Sequence, residues 1–354
     1  MRDIFDSTAA EIGWFSSLWA FSYLIGCYIL HPLSRRIGAH RSIAIASFGM
    51  FLAVILILLS KDAWIVFILY GFFGFVTALF WPPLMGWLSE GIEGNYLNKM
   101  MGLFNLSWST GLVISPYLGG VFLELDLQSP LIFAAGLYGF LSIVLIIIPA
   151  AVPSIISSNN KKNIDETVID SSTTLRYAAW LGNLTAYIIF GVLLFVFPLY
   201  ARDELFFSES SIGLLLLFRA LFSTFIFILA GKFSWWHFNK IYMIVMQSLL
   251  VLFSFFIPYA NSWVTIVSGL SVFGIIFAAQ YSSSIFHGVS GSIHREKRMA
   301  IHEAVLTVGV IAGAIGGGEI YQQWGMAAAF NCAAAAATFV LIIQIVIMLF
   351  QHKP

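Results

Sequence analysis

The chain carries little charge for its length. Of its 354 residues only 10% are charged, whereas 60% are hydrophobic and 16% are aromatic. An ordinary soluble domain has roughly 25% charged residues, so this chain could not cover a surface that faces water. The composition therefore excludes a soluble enzyme and a disordered protein. The 17 basic and 17 acidic residues cancel, which leaves no global field to attract nucleic acid.

Cysteine is scarce as well. Cys27 and Cys332 both lie in apolar runs, and two isolated cysteines form neither a metal-binding spacing nor a disulfide framework. The sequence also lacks a nucleotide-binding loop, a nucleophile motif and a catalytic pair of carboxylates. We therefore predict a protein that is not an enzyme and that binds no cofactor or metal.

Long apolar runs are what the sequence has in abundance. A helix that crosses a bilayer needs about 20 mostly apolar residues, because lipid offers no partner for an open backbone. Eleven such runs occur, at 10–32, 42–60, 64–88, 100–123, 129–152, 178–199, 210–231, 241–258, 263–287, 299–320 and 326–350. The sequence therefore predicts an all-α, multi-pass membrane protein with eleven transmembrane helices.

A polar stretch between residues 157 and 176 separates five of these runs from the other six. We predict an N-terminal helical bundle over residues 1–152, a linker over 153–177 and a C-terminal bundle over 178–354. Lys and Arg are concentrated on the side of the linker, and basic residues favour the cytoplasmic side. The linker and the C-terminus are therefore expected in the cytoplasm, with the protein in the cell (inner) membrane.

The two halves also repeat each other. Shifts of 200 or 198 residues superpose like residues with the apolar runs in register. Examples are Ala20 with Ala220, Lys99 with Lys297, and Gly111 with Gly309. Two parallel copies joined by a linker are typical of repeat transporters. At this offset the run at 178–199 has its partner before Met1, so we expect a first helix to be missing. Either the reading frame starts at an internal Met or the gene is truncated, or the protein has eleven helices by nature. We favour an internal start or a truncated gene.

Two motifs resemble those of the major facilitator superfamily. In the segment from His31 to Arg41, Leu33, Arg36 and Gly38 match the loop pattern G-x-L-x-D-R-x-G-R-R, although Arg35 replaces the Asp. The segment from Gly111 to Gly120 resembles G-x-x-x-G-P-x-x-G-G of the family's fifth helix, a motif common among antiporters. The resemblance implies the fold of this superfamily, in two pseudo-symmetric bundles of five and six helices.

The same resemblance implies which residues change conformation. Because Arg35 stands where the family has Asp, we hypothesise a reversed latch in which Arg35 or Arg36 meets Glu296 or Glu303; the alternative is that Arg35 only marks the cytoplasmic side. The residues expected to act in gating are Arg35, Arg36, Gly38, Gly111, Pro116, Gly120, Gly309 and Gly317.

Polar side chains inside the apolar runs are the candidates for binding, since ionised groups are costly in lipid and are usually functional there. Arg219 lies halfway along its run, and it either binds an anionic group, pairs with a carboxylate or ties helices together. Trp81 precedes two prolines that kink the helix. The other candidate substrate-binding residues are Asn105, Asn183, Tyr187, Gln280 and Tyr281.

His302 and Glu303 are candidates for proton coupling, because a partly desolvated Glu and a His can both titrate near neutral pH. The alternative is that both lie in the headgroup zone and are simply hydrated. Glu303 aligns with Asn105 at the offset of 198 residues, so the repeat places polar residues at equivalent depths.

Together these features predict a secondary transporter that moves a small organic solute by alternating access, as a proton-coupled efflux protein. The alternative is a non-transporting or decayed relative that acts as a sensor or scaffold. We expect the partners to be a small-molecule substrate, the lipid bilayer and protons, with no nucleic acid, and we expect a monomer.

Overall fold

The structure, a computed structural model, describes residues 9–151 and 170–350. Within these two ranges all regular structure is helical, as the apolar runs predicted. The α-helices are α1 (Ala9–Ile29), α2 (His31–Ile37), α3 (Ala39–Leu59), α4 (Ala63–Thr77), α5 (Trp81–Leu88), α6 (Gly94–Leu125), α7 (Ser129–Ala151), α8 (Leu175–Gly191), α9 (Phe197–Asp203), α10 (Glu209–Lys232), α11 (Lys240–Phe256), α12 (Trp263–Val289), α13 (Arg295–Ile311) and α14 (Gly317–Leu349).

Short irregular turns join some of these helices end to end. π-Helical turns at Val192–Val196 and Ala312–Gly316 connect α8 to α9 and α13 to α14, and a 3₁₀ turn at Ile257–Tyr259 follows α11. The predicted run 64–88 is broken between α4 and α5, where Pro82 and Pro83 occupy the first turn of α5. Proline has no backbone N–H to donate, so the chain turns at the Trp-Pro-Pro sequence as expected.

In the described parts of the chain, eight helical segments are long and apolar enough to cross a membrane. One of them, Arg295–Leu349, is 55 residues long. It contains Gly325 in a non-helical conformation with φ 81°, a region that favours glycine. An all-helical membrane fold is therefore confirmed, while the number of eleven spans stays a prediction.

The described residues form two compact units. Unit 1 takes its residues from 1–90, 117–171 and 292–307, and unit 2 from 91–116, 172–291 and 308–354. The chain therefore passes from one unit to the other within α6 and again within α13. The predicted linker falls largely on residues 152–169, which lie outside the described ranges, and the predicted domain boundaries stay a prediction.

The internal packing of each unit follows the predicted repeat. In unit 1, α1 packs on α4, and α3 packs on α4 and α7. In unit 2, α10 packs on α12, and α11 packs on α12 and α14. Each of these three pairs becomes its counterpart after a shift of about 200 residues, so these three helix contacts occur in both copies.

One helix contact recurs at equivalent glycines. A Cβ at Gly74 in α4 would collide with the backbone carbonyl of Trp19 in α1. A Cβ at Gly274 in α12 would collide with the backbone carbonyl of Arg219 in α10. Glycine lets the two helix backbones approach closely, and the identical offset of the two pairs supports the duplication.

Candidate functional site

Arg219 lies in the middle of α10 and is buried, with 7% of its surface exposed. Its guanidinium carbon is 4.9 Å from the ring centre of Phe190 and 5.9 Å from that of Phe277. Among the described residues no ion pair includes Arg219. Aromatic faces attract a cation, and this attraction is strongest where water is excluded, but they do not neutralise its charge. The arrangement can therefore accept an anion.

A row of aromatic rings continues from Arg219 through unit 2. Phe190 stacks on Phe277 with ring centres 5.1 Å apart, and Tyr187 lies 5.0 Å from Phe277. Tyr281 stacks one helical turn further along α12, 6.3 Å from Phe277, and Trp108 meets Tyr281 edge-on at 5.1 Å. We call these five residues the aromatic row. It places stacked and edge-on aromatic rings beside a buried cation.

Phe190, Phe277 and Trp108 were not predicted as site residues. A signal for two of them exists in the sequence, because Phe190 lies three residues after Tyr187 and Phe277 lies four residues before Tyr281. Residues at these spacings share a helix face. No pattern distinguishes them from the many other phenylalanines, since the chain has 34.

Two asparagines predicted for the site are also buried in unit 2. Asn105 accepts a hydrogen bond from the Trp108 indole at 3.4 Å and donates one to the Ser282 hydroxyl at 3.5 Å. Asn183 is fully buried, and in the described structure both its amide oxygen and its amide nitrogen lack a hydrogen-bond partner. A buried amide without partners is costly, so Asn183 has capacity for a bound polar group.

Gln280 is placed apart from the aromatic row, in a cluster of three glutamines. Its amide donates to Gln247 at 3.2 Å, and Gln247 donates in turn to Thr185 at 3.1 Å. Gln344 donates to the Ala178 carbonyl at 2.7 Å. The cluster lies inside the bundle, beside a small cavity. Gln280 is separate from the aromatic row because Gln280 and Tyr281 are successive residues and so face different sides of α12. The substrate-binding role predicted for Gln280 stays a prediction.

Trp81 is found in unit 1, at the start of α5. Its ring meets Phe80 edge-on at 5.0 Å, and it packs against the cluster formed by Tyr23, Cys27 and Ala78. The substrate-binding role predicted for Trp81 stays a prediction, since its described contacts are helix packing.

Glu303 is buried on the part of α13 that belongs to unit 1. Its carboxylate accepts a hydrogen bond from the Tyr23 hydroxyl at 2.5 Å. His302 beside it is fully buried. The neighbourhood is built from packed side chains of α1 and α13, and Tyr23, which no sequence pattern indicated, supplies the partner of the carboxylate.

The latch predicted around Arg35 and Arg36 has different partners in the structure. Glu296, at the start of α13, accepts a hydrogen bond from Ser34 and lies 3.6 Å from the ring of His31. Both arginines are exposed, and no ion pair to them is present among the described residues. His31 and Ser34 share one face of α2 at a spacing of three residues, so the arginines point elsewhere.

The predicted gating residues fall into different surroundings. Gly309 packs against the Leu184 carbonyl and Gly317 against Val192, each leaving only about 2.7 Å for a Cβ. Gly38 joins α2 to α3 with φ 83°. A Cβ at Gly111 would meet no atom of the described structure within 4 Å. Pro116 and Gly120 lie outside the residues whose side-chain surroundings are described.

Comparisons with known proteins agree with this architecture. A family model described as Major Facilitator Superfamily matches residues 1–290. The crystal structure of the human organic anion transporter MFSD10 (TETRAN) superposes with a TM-score of 0.77 and 13% identity, covering 94% of this chain and 83% of that one. At this identity the likeness shows the fold alone. No curated protein sequence matches significantly.

Proposed function

Because the chain belongs to the Major Facilitator Superfamily, and is thus a multi-pass membrane transporter, we propose that it is a secondary active transporter of a small organic anion. It works by alternating access in the cell membrane, as a monomer, with the linker and the C-terminus in the cytoplasm. The observation that carries this proposal is the buried guanidinium of Arg219 beside the aromatic row, without an ion pair among the described residues.

The chemistry of the site supports an anion with a flat apolar body. A guanidinium binds a carboxylate through two parallel N–H···O bonds. Aromatic rings bind a flat ring by stacking or edge contacts, and the row from Phe190 to Trp108 contains both stacked and edge-on rings. That MFSD10 is described as an organic anion transporter agrees with this substrate class.

Proton coupling is proposed at Glu303 and His302, and the direction proposed is efflux by proton antiport. Glu303 is a buried carboxylate with a neutral hydrogen-bond donor, so one proton changes its charge. The antiporter-like segment from Gly111 to Gly120 supports the direction.

The test uses the purified protein in proteoliposomes with a pH gradient. Uptake of radiolabelled benzoate, as the simplest aryl carboxylate, is measured for the wild type, Arg219→Gln and Arg219→Lys. Arg202→Gln, at an exposed arginine, is the matched control. We expect Arg219→Gln to reduce benzoate uptake at least about tenfold, since a charge-assisted contact is lost, and Arg202→Gln to leave it unchanged.

Uptake of the uncharged analogue benzamide into the same vesicles separates the effect of substrate charge from that of substrate shape. Equal uptake of benzoate by the wild type and Arg219→Gln would overturn the assignment of an anion to Arg219. Absence of gradient-driven flux of any tested solute in the wild type would instead favour the non-transporting alternative.

A further inference from the structure

The Tyr23 hydroxyl makes a short contact to the Glu303 carboxylate, 2.5 Å between oxygens. Tyr23 is 1% exposed and Glu303 is 6% exposed. No basic group forms an ion pair with Glu303 in the described part of the chain. Hydrogen bonds to a charged acceptor are about twice as strong as neutral ones. Tyr23 is therefore the direct partner of the ionised carboxylate.

The Tyr23 ring is held independently of this hydrogen bond. Trp19 stacks on it with ring centres 5.4 Å apart and planes 6° from parallel. Cys27 and Ala78 complete the cluster around it. The titratable groups facing Glu303 from α1 are Tyr23 and Cys27, and His302 is its neighbour on α13. The hydroxyl is thus aimed at the carboxylate by rigid packing.

The duplicated half carries neutral side chains at the equivalent positions. Asn105 and Asn98 stand 198 residues before Glu303 and Glu296. Asn105 donates to Ser282, and Asn98 donates to the carbonyls of Ala230 and Phe233 at 2.8 and 3.1 Å. These amides bind no proton near neutral pH, whereas the carboxylate of Glu303 changes its charge when it binds one. Of the two equivalent positions, the one on α13 therefore carries the side chain that can be charged.

We propose that Tyr23 is the positioning residue of Glu303, whose hydroxyl holds the ionised carboxylate and so sets the pH at which α13 is held to α1. This inference rests on the proposed proton coupling at Glu303. When a proton from water bonds to a carboxylate oxygen, the charge is lost, Tyr23 keeps its own proton, and the hydrogen bond weakens to a neutral one. The return of that proton to water restores the stronger bond.

The experiment is an infrared pH titration of the purified protein in lipid, which needs no substrate. The protonated carboxyl band that disappears in Glu303→Gln is assigned to Glu303. In Tyr23→Phe we expect the midpoint of this carboxyl band to move to higher pH by about one unit, because the ionised carboxylate loses one hydrogen-bond donor. Tyr28→Phe, on the same helix but 86% exposed, is the matched control and leaves the midpoint unchanged.

Two further measurements make the outcomes distinct. In the wild type, the tyrosine C–O band changes at the same midpoint as the carboxyl band, a readout that does not require a folded variant. An unmoved midpoint in folded Tyr23→Phe, or a tyrosine band indifferent to pH, overturns the role of Tyr23. If Glu303→Gln keeps the wild-type pH dependence of transport, the proposed coupling fails instead.

Discussion

Two buried residues show how charged side chains are accommodated between the helices of this protein. Arg219 lies against aromatic faces, whereas Glu303 is held by one hydroxyl, and neither forms an ion pair among the described residues. An ionised group in lipid is retained only where something compensates for lost hydration. During transport we therefore expect Arg219 to bind and release an anion, and Glu303 to bind and release a proton.

Phe277 provides the first test at this scale. Its ring lies between Arg219 and Tyr281 in the aromatic row. We expect Phe277→Leu to weaken binding of benzoate about fivefold, because the aromatic contact to an aryl ring is lost while the volume is nearly kept. Binding is measured by isothermal titration in detergent. Phe222→Leu, at a partly exposed position of α10, is the control, and an equal loss there would count against the row as a binding surface.

His237 provides a pH test outside the membrane-spanning helices. It stacks on Phe286 with ring centres 3.7 Å apart, and burial lowers the pKa of His237 to about 4. The unfolded chain binds its proton near pH 6.5, so the stability contributed by neutral His237 is lost as the pH falls from about 6.5 to about 4. We expect the melting temperature of His237→Gln to fall less between pH 7 and pH 5 than that of the wild type. Parallel melting curves for the two proteins would contradict this.

At the scale of helices, close approach at glycine decides which pairs can pack. Gly74 and Gly274 each face a backbone carbonyl, which cannot move aside. The same substitution elsewhere in a helix usually stabilises, because alanine has the higher helix propensity. The sign of a glycine-to-alanine change therefore reports the packing.

We predict that Gly74→Ala and Gly274→Ala each destabilise the protein by about 1–3 kcal/mol through overpacking. Gly136→Ala and Gly213→Ala, where a Cβ would meet no described atom within 4 Å, are expected to be neutral or to stabilise by up to about 1 kcal/mol. Thermal unfolding in detergent, followed by circular dichroism, compares the four. Destabilisation of the same size at all four positions would show that the helix contacts are not the cause.

At the scale of the whole molecule, the distribution of the basic residues predicts which side of the protein faces the cytoplasm. We predict that a cysteine at position 157, in the linker, reacts with a membrane-impermeant maleimide only after the cells are opened. A cysteine in place of Lys61 is expected to react in intact cells. Both are made in a Cys332→Ala background, since Cys27 is buried. The reverse pattern would invert the proposed topology.

Membrane class, helical fold and family follow from the sequence alone, because a bilayer demands long apolar runs and a duplication leaves a constant offset. Arg219 could be selected as a candidate for the same reason, since charge in such a run is rare. The partners could not be predicted. Phe190 and Phe277 reach Arg219, and Tyr23 reaches Glu303 across 280 positions, only through helix packing. That packing depends on the glycines at which a neighbouring helix backbone can approach closely. No local pattern of apolar residues predicts which glycines these are.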